Sequence, residues 1–181
     1  MTRHKAVIHL SEVPCEPTKA PEDSVFSSIR QRVGLAIGAK KLGYSVYVVP
    51  PEKTAFPCHA HYANEEMIYI FDGEGVVRIG TDEVKASGGT FIAFPPGTDS
   101  SHQLINTSDR DLRYLCVSTM EYPDLTDYPD SNKIGALATS ANEAGFRAFY
   151  RKESNVGYYE SESGRARTNK KIIKIVSVML G

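Results

Sequence analysis

A chain of 181 residues with 41% apolar and 24% charged residues has the size and balance of one globular domain. Its formal charge of −1 excludes the broad basic excess with which proteins neutralise nucleic-acid phosphates, and the one basic cluster, residues 165–171, reads as a solvated tail. No run of about 20 apolar residues is present to cross a membrane, and residues 1–14 lack a signal-peptide apolar core. Three cysteines, Cys15, Cys58 and Cys116, are an odd number without close spacing, which points to a reducing compartment and a cytoplasmic location.

Residues 1–42 read as an N-terminal arm packing on the domain that follows. Pro14, Pro17 and Pro21 make it irregular, with one short strand expected at residues 6–10. In residues 25–42, Phe26, Ile29, Val33 and Ile37 fall at roughly helical spacing, but Gly34 and Gly38 argue against a long helix. From Gly43 the pattern is β. Residues 44–49 are β-branched and aromatic and stop at Pro50-Pro51. Residues 67–71 close on Asp72-Gly73, a hairpin-type pair. Strands at 76–79, 83–86, 90–94, 102–106 and 112–120 follow, separated by Gly80-Thr81-Asp82, Gly88-Gly89, Pro95-Pro96-Gly97 and Asp109-Arg110-Asp111.

Short strands at this even spacing predict an all-β antiparallel sandwich or small barrel over residues 43–120. Met67-Ile68-Tyr69-Ile70-Phe71 does not alternate with polar residues, so both of its faces are expected to be covered, one of them by a second sheet or a subunit. A homodimer is therefore expected. Residues 121–181 form a C-terminal extension. Residues 121–133, with Pro123, Pro129 and several Asp, read as a loop over the barrel. Residues 140–150 carry modest helical periodicity after a Ser140 cap with Glu143 three residues on. Residues 151–171 are polar, and 172–180 read as an edge strand or a short docking helix.

One stretch carries chemistry. His59 and His61, one residue apart, share a face of an extended chain. Glu66 follows a gap long enough for a turn, and His102 lies beyond the Pro95-Pro96-Gly97 turn. Three imidazoles and a carboxylate on a β scaffold suit Mn, Fe, Co, Ni or Zn, whereas structural zinc sites more usually employ thiolates. Four protein ligands would leave a six-coordinate ion two positions for water or substrate. An isolated His-x-His is more often a surface or hydrogen-bonded pair; Glu66 and His102 reverse that balance.

Pro57-Cys58-His59-Ala60-His61, then four residues, Glu66, six residues and Gly73 resembles the first motif of the cupin superfamily. Gly89, five residues, Pro95-Pro96-Gly97, His102, three residues and Asn106 resembles its second. The resemblance covers about residues 43–120 and implies a double-stranded β-helix, or jelly roll, with one divalent metal inside the barrel held by His59, His61, Glu66 and His102. Two departures are visible: Lys53 stands where the family has a glycine, and Thr98-Asp99-Ser100-Ser101 makes a four-residue spacer where the family has two. Glu65 is the alternative carboxylate, but the spacing to Gly73 favours Glu66. By parity Cys58 faces away from the site, and Asn106 is expected to brace a turn.

These residues lead to the expectation of a metal-dependent enzyme acting on a small oxygen-rich molecule, by isomerase, tautomerase or dioxygenase chemistry. A small-molecule-binding barrel without turnover is the alternative. Tyr47, Tyr69 and Tyr114 are candidates for the proton carrier, and the polar loop 98–101 is expected to form a lip at the barrel mouth.

Overall fold

The computed structural model describes residues 4–138 and 145–162. In the arm, residues 6–10 do not form the expected strand; a 3-10 turn at Leu10–Glu12 takes their place. His9 caps it: its Nδ1 accepts from the Ser11 amide, and the Glu12 side chain accepts from the His9 amide at 2.8 Å. Two short strands follow, β1 (Glu16–Pro17) and β2 (Ile29–Gln31), then a single helical turn at Val33–Ala36. The glycines predicted to stop a long helix thus leave one turn. The arm then joins the barrel, because β2 pairs with β3 (Leu42–Val49), placing Arg30 opposite Tyr47.

The remaining strands are β4 (Ala60–His61), β5 (Glu66–Asp72), β6 (Glu74–Ile79), β7 (Asp82–Ser87), β8 (Phe91–Phe94), β9 (His102–Ile105), β10 (Leu112–Thr119), β11 (Asp124–Tyr128), β12 (Lys133–Leu137) and β13 (Arg147–Arg151). Among the described residues they form three antiparallel sheets, in the orders β1-β2-β3-β10-β5-β8, β7-β6-β9 and β13-β12-β11-β4. The fold is an all-β double-stranded β-helix. Its core lies between the sheets, where Val49, Ile70 and Leu112 are fully enclosed and Phe94, Leu104 and Tyr114 pack beside them. Ile68 and Ile70 face this core, while Tyr69 stays partly exposed and Phe71 is exposed on the outer face, as strand parity requires.

The C-terminal segment departs from its expected form. Residues 121–133, expected as a loop, contain β11, which pairs with both β4 and β12. Their polarity reads as a loop, yet Asp124, Thr126 and Asp127 are buried. Arg147–Arg151, which include residues 147–150 of the expected helical segment, pair with β12 through their whole length. Cross-strand pairing and the aromatic residues Phe149 and Tyr150 outweigh a weak helical periodicity there. Ser140 and Glu143 lie outside the described residues, as does the segment 172–180.

Candidate metal centre

Three strands and one bridge bring the four singled-out side chains to one place. His59 precedes β4 and His61 ends it; Glu66 opens β5 and His102 opens β9. An antiparallel bridge stitches the two motifs together: the His59 amide donates to the His102 carbonyl at 3.1 Å, and the His102 amide returns the bond at 2.8 Å. His59, His61 and Glu66 offer ligand atoms that all lie within 4.8 Å of one another. Each histidine turns Nε2 towards Glu66, at 3.9 Å for His59, 3.8 Å for His61 and 3.3 Å for His102.

The other ring nitrogen of each histidine is already committed. His59 Nδ1 meets the Pro57 carbonyl at 2.9 Å, His102 Nδ1 the Ser100 carbonyl at 3.0 Å, and His61 Nδ1 the Asp124 carboxylate at 2.6 Å. These partners only accept, so Nδ1–H must donate, and in the neutral ring the lone pair then sits on Nε2. Three imidazole lone pairs and a carboxylate therefore converge, four acceptors with no donor between them when the rings are neutral. The donor set fits a divalent cation.

The electrostatics differ from ring to ring. Burial, reinforced by His102, pushes His59 down to about 4. Burial would raise Glu66, but a hydrogen bond from His102, available when that ring is protonated, and the fields of His61 and His59 outweigh it and hold the carboxyl at about 2. Burial also opposes charge on His61; the Asp124 hydrogen bond, with the fields of Glu66 and Asp124, overrides it and raises that pKa. The Phe94 ring stacks on His102 with centroids 3.6 Å apart, fixing the ring plane.

The cluster opens into a cavity of ≈ 300 Å³ whose wall includes Arg30, Tyr47, Tyr114, Tyr122, Tyr128 and Arg147. Of the three tyrosines proposed from sequence, Tyr47 and Tyr114 line it, their rings stacked 5.1 Å apart. Burial raises both phenols. Tyr69 does not line it; it lies against Phe71 and Phe91 on the outer face. The loop 98–101 is not part of this wall either. It is a 3-10 turn at Thr98–Ser100, whose Ser100 hydroxyl donates to the carbonyls of Pro95 and Gly97. The expected lip is therefore replaced by residues of the C-terminal sheet. Cys58 is buried and does not line the cavity. Asn106 braces its turn, donating to the carbonyls of Val49 at 2.9 Å and Arg110 at 2.7 Å.

Two contributors lay outside the sequence argument. Asp124 accepts from His61, from the Ala63 amide at 3.0 Å and from Thr126 at 3.5 Å. Tyr128 lies nearly parallel to His59, centroids 6.0 Å apart. Both come from β11, whose pairing with β4 is what carries them to the site.

Fold and site together define a jelly-roll protein with a histidine–carboxylate cluster inside the barrel. Residues 45–118 match the Cupin domain family. An uncharacterized protein of Methanocaldococcus jannaschii is 33% identical over 64 residues, 35% of this chain and 50% of that one. The chain thus spans about half the length of that curated relative. Among solved structures, a proposed sugar phosphate isomerase from Acidithiobacillus ferrooxidans superposes with a TM-score of 0.73 at 20% identity, over 84% of this chain and 96% of that one. A sugar phosphate isomerase from Silicibacter pomeroyi, of the cupin superfamily, gives 0.71 at 22% identity, over 82% and 94%. The shared fold therefore extends well beyond residues 45–118.

Proposed function

We propose that the chain is a metal-dependent cupin enzyme in which His59, His61, Glu66 and His102 hold one divalent transition ion, with isomerase- or tautomerase-type chemistry on a small oxygen-rich molecule. One observation carries this reading: four hydrogen-bond acceptors converge, and the partners at Nδ1 fix each imidazole with its Nε2 lone pair inward. Three nitrogens and a carboxylate oxygen suit Mn, Fe, Co, Ni or Zn. A bound ion of this kind supplies Lewis-acid polarisation of a carbonyl oxygen.

The chain's own groups would do the rest. Tyr47 and Tyr114 stay protonated through neutral pH, so they serve as hydrogen-bond donors to substrate oxygens rather than as bases. Asp124 holds the His61 ring in its working tautomer. Phe56, Phe149 and Tyr128 give the cavity an apolar margin that restricts water. The two sugar phosphate isomerases that share this fold favour carbonyl–hydroxyl isomerisation over the oxygenase alternative.

Elemental analysis of the purified protein should show about one transition metal per chain, the number one site requires. His61→Ala and Glu66→Gln should lose most of it. Full retention in both variants would overturn the ligand assignment. The loaded protein, incubated with hydroxy-ketones and hydroxy-aldehydes in D2O, should place deuterium at the carbon beside the carbonyl. A loaded protein that gives no exchange with any of them would favour a binding role without turnover.

A further inference from the structure

Arg30 has a place in the cavity that the metal-dependent reading does not use. It sits on β2, outside the residues 45–118 that match the family, and reaches the same wall as the four convergent side chains. Its Nε donates to the Ser45 hydroxyl at 3.2 Å, and its guanidinium lies 5.5 Å above the centre of the Tyr47 ring. Ser45 is itself buried, so the anchor is built into the barrel wall. Neither terminal nitrogen of Arg30 has a protein acceptor among the described residues, and no carboxylate pairs with it. Arg32, two residues on and lining the same cavity, is different: Glu16 takes both its Nε at 3.1 Å and its Nη2 at 2.9 Å.

A half-buried guanidinium with an anchored Nε and free terminal nitrogens presents a fork suited to two oxygens of one anion. The charge balance of the cavity points the same way. Glu66 and Asp124 together match a divalent ion. Arg30 and Arg147, which also lines the cavity and has no carboxylate partner among the described residues, then leave two uncompensated positive charges. Two positive charges match the dianion of a phosphate monoester better than a carboxylate.

We propose that Arg30 is the anion-binding residue of this cavity, taking the terminal phosphate of a small polyhydroxylated substrate. The placement of the substrate's other, oxygen-bearing end rests on the metal-dependent reading above. The cavity of ≈ 300 Å³ suits a molecule of sugar-phosphate size. Ser45 and Tyr47 act as positioning residues, holding the guanidinium plane through Nε and the ring face.

Three probes with the same hydroxy-acid head separate the possibilities: D-gluconate, D-glucarate and 6-phospho-D-gluconate, with a neutral, a carboxylate and a phosphate far end. Calorimetric titration of the Mn(II)-loaded protein should find the phosphorylated probe bound at least about tenfold more tightly than the other two, as for a hydrogen-bonded charge pair. Arg30→Gln should abolish this gap, Arg30→Lys should keep part of it, and Ser45→Ala should narrow it. Equal affinity for all three probes, or a gap that survives in Arg30→Gln, overturns the assignment. Glucarate binding as tightly as 6-phosphogluconate overturns the phosphate in favour of a carboxylate. If Arg30→Gln does not fold, as read by circular dichroism, the Lys and Ser45 variants carry the comparison. Mn(II) binding is followed by its paramagnetic signal in the same samples. Inorganic phosphate is titrated separately into metal-free wild type and Arg30→Gln, with about tenfold weaker binding expected in the variant. Mn(II) that keeps its full free-solution signal in the presence of the protein defeats the metal reading and leaves that phosphate comparison standing; equal phosphate affinity defeats Arg30 and leaves the metal reading standing.

Discussion

At His61 the donor atom and its support come from different parts of the chain: Nε2 faces Glu66 while Asp124, on β11, receives Nδ1–H. A carboxylate in that position fixes the ring and raises its basicity towards a metal. Asp124→Asn is therefore expected to weaken Mn(II) binding by about 10- to 100-fold, read by titration of the metal-free protein; affinity within about twofold of wild type would remove Asp124 from the site. Protonation gives a second prediction. Burial and His102 hold His59 at about 4, below its ordinary 6.5. As pH falls below 6.5 the unfolded chain takes up this proton, whereas the folded chain resists until about 4, so the metal-free protein loses stability across that window. Glu66, held at about 2, acts in the same sense lower down: its contribution is full above the ordinary 4.5 and disappears towards 2. His61, raised through Asp124, acts oppositely, its contribution being present below 6.5 and lost as pH climbs through the raised value. The thermal midpoint of the metal-free protein should fall between pH 6.5 and 4, and His59→Gln should flatten that fall. A midpoint constant over this range in the wild type would contradict the burial argument.

Between the two motifs, the close approach of β6 to its neighbours depends on glycine. A Cβ on Gly75 would lie 2.2 Å from the Ile105 carbonyl oxygen, and one on Gly73, where φ is 87°, would lie 2.6 Å from the Asp111 carbonyl oxygen. Backbone cannot give way as a side-chain tip can. Gly75→Ala should destabilise the fold by about 1–3 kcal/mol in chemical denaturation, as overpacking does; a change below about 0.5 kcal/mol, typical of surface sites, would mean that β6 and β9 are not so closely apposed. These glycines also explain what could be read beforehand. Turn residues and β-branched runs mark β3 and the strands from β5 to β10 directly, and strand parity puts His59 and His61 on one face. That information is local. Asp124 meets His61 across 63 positions, and Arg30 enters the cavity because β2 adds to β3, pairings that local pattern does not encode. The same gap made β11 look like a loop: Asp124, Thr126 and Asp127 are polar because they are buried beside polar neighbours, whereas composition alone associates such residues with solvent.

The outer face of the six-stranded sheet bears on the whole molecule. Met67-Ile68-Tyr69-Ile70-Phe71 sends Ile68 and Ile70 into the core, yet its outward residues are apolar as well. Tyr69 meets Phe71 at 5.3 Å and Phe91 at 4.4 Å between ring centroids, and Phe91 is 70% exposed. Phe91 opens β8, the strand that ends this sheet among the described residues, so an aromatic cluster and an open strand edge coincide. Apolar clusters of this kind mark interfaces, and an open edge is a template for another strand. The arm does not supply the cover, because its own β2 is paired on β3 at the other side of the sheet. We propose that a second copy covers this face through a two-fold axis, each copy presenting the same aromatic cluster, with about 800 Å² buried per partner as a stable interface requires. Sedimentation at micromolar concentration should report a dimer, and Phe91→Glu should shift it to monomer. Because Phe91 lies outside the cavity wall, the variant should keep its Mn(II) affinity. A monomeric wild type, or a dimer indifferent to Phe91→Glu, would show that this face has another role.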